Sequence, residues 1–233
     1  MELLKKDNVK IIDQVNKKSK NNDKQGKQDK SKDTNISKSM ALLLRHQAKE
    51  FNLVMDKYGF VKINDLIKCG PLAKYKIDME KIESIVKNDQ KGRYEIKDDL
   101  IRAVQGHTIP LNPEDTLEPI TIDDVFNYPV VVHGTYYDGW KFIKDTGLNK
   151  MQRTCVHFAI GYIDDKEVIS GMRTSCEVYV EINMVQIFFN DIKLFRSKNN
   201  VILCPGLPET GAIPTKYFKI VSDKKKEFLF APK

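Results

Sequence analysis

"NISKSMALLLRHQAKEF" fills residues 35–51. Met40, Leu43, Leu44 and Ala48 recur at helical spacing, so the segment predicts a helix with one apolar face turned to a core. Ser37 stands where a cap for that helix would go. Arg45 and His46 follow three leucines directly, at the point where the helix settles into its core. The flanking leucines imply a partly desolvated guanidinium, a position that a lone charge would not tolerate.

Downstream of that helix, "GFVKINDLIK" (59–68) predicts a short strand leading into a helix capped by Asn64, and "DMEKIESIVKND" (78–89) predicts a further helix. "GRYEIKDDLIRAVQGHTI" (92–109) reads as two short β segments. The order helix, helix, helix, hairpin across residues 35–109 is that of a winged-helix unit, a fold that often meets nucleic acid. That link is one of fold-level analogy. "IPLNPEDTLEPITIDD" (109–124) is proline-rich and acidic, and residues 110–124 are expected to link two lobes. Beyond it come short β-rich runs: "YPVVVHGT", "CVHFAIG", "EVYVEINM", "IKLFRSKNN", "VILCPG" and "YFKIVS", with a helix at "DGWKFIKDTG". Residues 125–233 therefore predict a mostly antiparallel sheet lobe, and the whole an α+β protein.

The chain has 233 residues, 41% of them hydrophobic, enough for a real core. No apolar run approaches the ~20 residues of a membrane helix. "MELLKKDNVKIIDQVN" lacks the apolar stretch and small-residue cleavage site of a secretory signal. Cys69, Cys155, Cys176 and Cys204 are scattered without metal-like spacing, so neither disulfides nor a metal site is expected, and a cytoplasmic or nuclear setting is. Net charge is +7, but residues 1–34 hold ten lysines against six acids, so the rest is only mildly basic. Lys17 to Thr34 contain no aromatic or large aliphatic residue, and residues 1–34 are expected to form a disordered Lys-rich tail. Such a tail solubilises, and it adds non-specific attraction to a polyanion.

All four histidines sit in pointed settings: "LLRHQ" (His46), "AVQGHTI" (His107), "VVVHGT" (His133) and "TCVHFA" (His157). His133 ends a β-branched run, and Gly134 and Thr135 after it offer close backbone approach and a hydroxyl. Arg45, Arg93, Arg153 and Arg173 are placed at a helix, a hairpin opening, a strand entry and a glycine. Guanidinium forks suit phosphate because they stay charged and grip two oxygens at once. Arg102 and Arg196 read as ordinary solvated arginines. No P-loop, GxGxxG, HExxH or GxSxG motif occurs, which closes the usual nucleotide and hydrolase routes.

"SKSMALLLRHQAKEFNLVMDKYGFVKINDLI", "GRYEI", "IRAVQGHT", "VVHGT", "GLNKMQRTCVHFA", "GMRTSCEVYVEI" and "SKNNVILCPGLPETGAIPTKYF" run collinearly from about Asn35 to Val221. Together they resemble the successive motifs of the tRNA 2′-phosphotransferase family. The resemblance implies an N-terminal winged-helix RNA lobe and a C-terminal ADP-ribosyltransferase-like lobe that takes NAD as co-substrate. It implies transfer of the splice-junction 2′-phosphate of ligated tRNA to NAD. The route runs through an RNA 2′-phospho-ADP-ribose intermediate to 2′-OH RNA, ADP-ribose 1″,2″-cyclic phosphate and nicotinamide. Arg45, His46, Arg93 and Arg153 match the family's catalytic set; His133, Gly134, Thr135 and His157 match its NAD-binding positions. Arg173 is a further phosphate-binding candidate. Cys155 and Thr108 depart from the pattern, standing where relatives often carry His and Ser. The expected partners are RNA with an internal 2′-phosphate and NAD, with no membrane, and the expected state is a monomer. An ADP-ribosyltransferase acting on nucleic-acid phosphate termini is the alternative.

Overall fold

Alternation in "YEIK" and "LIRA" builds the first hairpin: Tyr94–Lys97 pairs antiparallel with Leu100–Ala103, with Asp98 at positive φ in the turn. Val61–Lys62 adds on the other side of Leu100–Ala103, giving a three-stranded sheet. The computed structural model describes residues 29, 31–163, 165, 168 and 170–230. It divides into two compact units, residues 1–40 and 41–233. In the first, residues 31–40 are helical and Ile36 and Met40 are fully buried.

The second unit opens with a π-helical turn, Leu43–Gln47, in which Leu43 and Leu44 are fully buried. Short helices Ile63–Leu66 and Gly70–Ala73 precede Met79–Lys87, whose cap is Asp78 accepting from the Lys81 N–H at 2.9 Å. Two four-stranded antiparallel sheets carry the rest. One runs Glu118–Pro119, Phe195–Arg196, Ile202–Cys204, Val156–Phe158; the other runs Phe228–Phe230, Phe218–Asp223, Val178–Ile182, Val132–Thr135. A reciprocal backbone bridge joins them, Val132 N–H to Ala159 O at 2.9 Å and Ala159 N–H to Val132 O at 2.8 Å. Between them Trp140, from the helix Tyr137–Thr146, packs with Phe218 and Phe230 beside Val180 and Phe158. The α+β architecture follows: every sheet is antiparallel, and the helices lie between and beside the strands.

Several expectations are corrected. Residues 29 and 31–34 are helical, so the helix starts inside the segment read as a tail, and Ser37 lies within it rather than at its cap. The remainder of that segment, residues 1–28 and 30, lies outside the described residues. Lys62, not Asn64, precedes the helix Ile63–Leu66. Residues 110–124 are not a bare linker: Pro113–Thr116 is helical, Glu118–Pro119 pairs with Phe195–Arg196, and Thr121 and Asp124 form a capping box for Ile122–Asn127. The acidic run reads as a linker by composition because its order comes from partners distant in sequence, Lys193 on Glu114 and Arg196 on Glu118 and Asp124.

Arg102 is not a solvated arginine. It is 8% exposed, donates to Glu95 at 2.7 Å and to the Tyr58 carbonyl at 3.0 Å, and stacks over the Phe60 ring at 4.8 Å. Arg196 is half-buried among Glu118, Asp124 and Tyr128. Removing one partner of a buried pair strands the other. Arg102→Met should therefore lower the unfolding free energy by about 2 kcal/mol in urea titrations. An unchanged midpoint and slope would show that the pair contributes nothing.

Candidate active site

The π-helical turn at Leu43–Gln47 ends in the four orphan carbonyls of any helix terminus. The Arg45 carbonyl is satisfied from far along the chain, by the Thr108 N–H at 2.9 Å and the Ile109 N–H at 3.3 Å. Gly106, two residues before Thr108, has φ +90°, a backbone conformation that side-chain-bearing residues rarely adopt. While its backbone is satisfied, the Arg45 side chain is not. Nε and Nη2 are buried without a hydrogen-bond partner among the described residues. Burial pulls this guanidinium below its ordinary value; Tyr94 opposes the shift, while the charges of Arg153 and Arg93 add to it. Arginine keeps its proton regardless, so the charge is held in an unfavourable place.

Arg93 opens the hairpin and is held by Asp89. Its Nη2 and Nε lie 2.6 and 3.0 Å from Asp89 Oδ1, and its own N–H donates to Oδ2 at 2.6 Å. This two-toothed clamp fixes the fork while leaving the cation half-exposed. Arg153 precedes the strand Val156–Phe158; burial pulls it down from its ordinary value, and Arg173 adds to this. Arg173 is exposed; the Tyr136 hydroxyl, held below its ordinary pKa by its hydrogen bonding to Ser175 and by Arg173, lies 2.8 Å from Ser175 Oγ.

The histidines converge on the same charges. His46, exposed, lies with Nδ1 3.0 Å from Thr108 Oγ1; its pKa is lowered by burial, Arg45 and Arg153. His107 is buried and pushed down to about 4 by burial, Arg45, His46 and Arg102. His157 is buried and pushed down to about 3 by burial, Arg153, His133 and Arg45. The Nε2 atoms of His107 and His157 have no partner among the described residues. His133 reaches across the sheet seam to the His157 carbonyl, Nδ1 to O at 2.9 Å, and rests edge-on against Phe158. The site thus gathers Arg45, His46, Arg93, Arg153, His133 and His157 into one electrostatic neighbourhood with Arg173 at its edge. A site so rich in unmatched positive charge is built for an anion.

Residues 31–206 match the family described as RNA 2′-phosphotransferase, Tpt1 / KptA family. The tRNA 2′-phosphotransferase 1 of Danio rerio is 36% identical over 197 residues, covering 82% of this chain and 85% of the relative. The protein of that name in Bos taurus is 37% identical over 198 residues, covering 82% of this chain and 76% of the relative. In Saccharomyces cerevisiae the tRNA 2′-phosphotransferase is 36% identical over 187 residues, covering 76% and 80%. The chain belongs to the RNA 2′-phosphotransferase family. Every site residue named from the sequence lies inside the span that the family matches.

Gly134 is explained by its own chain, since a Cβ there would lie 2.8 Å from Cys176 Sγ and 3.1 Å from Met172 Cβ. His157 lies in the strand Val156–Phe158, all three residues of which are buried. Thr135 keeps room for its hydroxyl because Gly139, one helical turn on, carries no Cβ to meet Oγ1. Sequence reading missed Asp89, although "DQKGR" places it four residues before Arg93, the spacing of a local ion pair.

Two outcomes follow from the unmatched charge. Arg45→Met should leave the ligand-free protein at least as stable as the wild type in thermal unfolding, because it removes a buried unpaired cation; a loss of more than about 2 kcal/mol would show that Arg45 is structural. The histidines set an acid limb. Unfolded, His107 and His157 titrate near 6.5. Between about pH 6.5 and 4 the unfolded chain binds protons that the folded chain refuses, so stability is intact above about pH 6.5 and falls as pH drops. Urea midpoints across this range should fall with acid, and His107→Gln should flatten the fall; parallel curves would contradict the burial of a neutral His107.

Proposed function

We propose that this protein is an NAD-dependent RNA 2′-phosphotransferase that removes the splice-junction 2′-phosphate from ligated tRNA. The observation that carries the reading is Arg45: two buried, unpartnered guanidinium nitrogens beside two further arginines and a histidine. The relatives' shared name adds the substrate class. On this reading residues 35–109 form a winged-helix RNA lobe, supported by their order of helices and hairpin, and residues 125–233 form an ADP-ribosyltransferase-like lobe, supported by their antiparallel sheets. The protein acts as a monomer on RNA with an internal 2′-phosphate.

NAD supplies an electrophilic ribose carbon from which nicotinamide departs. His133, Gly134, Thr135 and His157 hold the dinucleotide at the seam of the two sheets, and the buried, unpartnered His157 Nε2 fits a polar ligand atom there. Arg45, Arg93 and Arg153 receive the 2′-phosphate, with Arg173 as a further phosphate contact. Fixed cations act strongly here because they are already oriented and partly shielded from water. The attacking phosphate is an anion already, so its addition calls for positioning rather than a general base. In the second step the neighbouring 2″-hydroxyl of the adduct's ribose attacks the phosphorus and loses its proton to solvent, closing the 1″,2″-cyclic phosphate as the bond from phosphorus to the RNA 2′-oxygen breaks, and His46 delivers a proton to that leaving oxygen. Burial, and then Arg45 and Arg153, depress the pKa of His46 in the free protein; a phosphate bound among the arginines offsets their part of that shift and favours the acid.

The test is a short RNA with one internal 2′-phosphate, incubated with NAD. The expected products are 2′-OH RNA, nicotinamide and ADP-ribose 1″,2″-cyclic phosphate. His46→Ala should slow the second step about 10²–10⁴-fold and let ADP-ribosylated RNA accumulate. No nicotinamide release by the wild type would overturn the reading. Arrest of the wild type at the adduct would favour a transferase that modifies phosphate termini.

A further inference from the structure

Thr108 is uncharged and outside the set assigned to chemistry, yet it touches the residue assigned proton transfer. Its Oγ1 lies 3.0 Å from His46 Nδ1 and 3.4 Å from the Arg45 carbonyl oxygen. Its backbone N–H donates to that same carbonyl at 2.9 Å. Thr108 is therefore anchored to the turn that carries His46, and Gly106 and the buried His107 before it hold the approach. Thr108 and His46 also line one cavity of about 520 Å³ with Lys49, Glu50, Ile109 and Pro110.

A hydroxyl carries one proton and two lone pairs. A carbonyl oxygen only accepts, so the Thr108 hydroxyl, 3.4 Å from Arg45 O, can turn its proton toward that carbonyl. A lone pair then remains for His46, and it is filled by an imidazole Nδ1–H. The imidazolium form, which carries a proton on both nitrogens, requires this same direction. The chain Nδ1–H to Oγ1–H to carbonyl therefore serves both protonation states of His46 without rotation of the hydroxyl.

Resting on the phosphotransferase reading, we propose that Thr108 is a positioning residue for His46, accepting from Nδ1–H and donating to the Arg45 carbonyl so that Nε2 is the proton-transfer atom. The groups that set the charge around His46 are Arg45 and Arg153, with His107 coupled to it and Lys49 and Glu50 on the shared cavity wall. Thr108 opposes the arginines by offering the imidazolium an acceptor.

The experiment uses full-length wild type, Thr108→Val and Thr108→Ser, with RNA carrying an internal 2′-phosphate, NAD, and rates followed across pH. Thr108→Val keeps the shape and removes the hydroxyl. It should lower kcat roughly 10- to 100-fold, the usual cost of losing an orienting partner, with KM little changed and the acid required at lower pH. Thr108→Ser should recover most of the rate. Long-range ¹H–¹⁵N spectra of the ligand-free wild type, with His46 assigned by its absence from His46→Asn, should show the Nδ1–H tautomer. A Thr108→Val enzyme with wild-type kcat and pH profile, or a His46 protonated at Nε2 with bare Nδ1, would overturn the inference. An inactive wild type would overturn the phosphotransferase reading instead, and the tautomer spectrum would still decide the role of Thr108.

Discussion

The hydrogen bonds from Thr108 and Ile109 to the Arg45 carbonyl tie the end of a π-helical turn to the segment after the first hairpin. The site is assembled outward from that tie. The His107 carbonyl accepts the Thr154 N–H at 3.1 Å, which brings Arg153 and the strand Val156–Phe158 alongside. His157 in that strand pairs with Leu203, and its own carbonyl meets His133 from the neighbouring sheet. Main-chain bonds, which carry no charge and need no particular side chain, thus fix the places of side chains that repel one another.

Repulsion is the cost of the arrangement. Arg45, Arg93 and Arg153 each disfavour their neighbours' charge, and among the described residues only Arg93 of the three has a carboxylate, Asp89, within a short ion pair. The contrast with Arg102 is instructive. Arg102 is buried with Glu95, two carbonyls and an aromatic ring, so its charge is matched inside the protein. Arg45 is half-buried, with Nε and Nη2 buried and left unmatched among the described residues. The first pattern is structural; the second leaves binding capacity for an anion from outside, and sites of this kind are held at some expense of stability.

Much of this was legible in the sequence. The apolar face of Met40, Leu43, Leu44 and Ala48 is buried throughout, Asp78 caps its helix, and the β-rich runs of the second half form strands where their alternation and β-branching point. The oddity of a guanidinium after three leucines was also readable, because desolvation of a charge is a local property of the chain. What was not readable depends on distant partners. The acidic stretch 110–124 takes its order from Lys193 and Arg196, and Arg102 takes its burial from Glu95, Tyr58 and Phe60. The packing that also requires glycine at position 134 was not readable, because Cys176, which fills the space a Cβ would need, lies 42 positions on by the numbering.

The most direct measurement compares the thermal shift given by a 2′-phosphorylated RNA with that given by the same RNA bearing a 2′-hydroxyl, at fixed salt, in the wild type and in Arg45→Met. A ligand that binds only the folded state raises its stability by RT ln(1 + L/Kd), with L the free ligand concentration, so at fixed concentration a tighter ligand gives the larger shift. The predicted result is a larger shift for the phosphorylated RNA in the wild type, with the difference between the two RNAs abolished in Arg45→Met. Equal shifts for both RNAs in the wild type, or a difference that survives loss of Arg45, would contradict the assignment of its unmatched nitrogens to the phosphate.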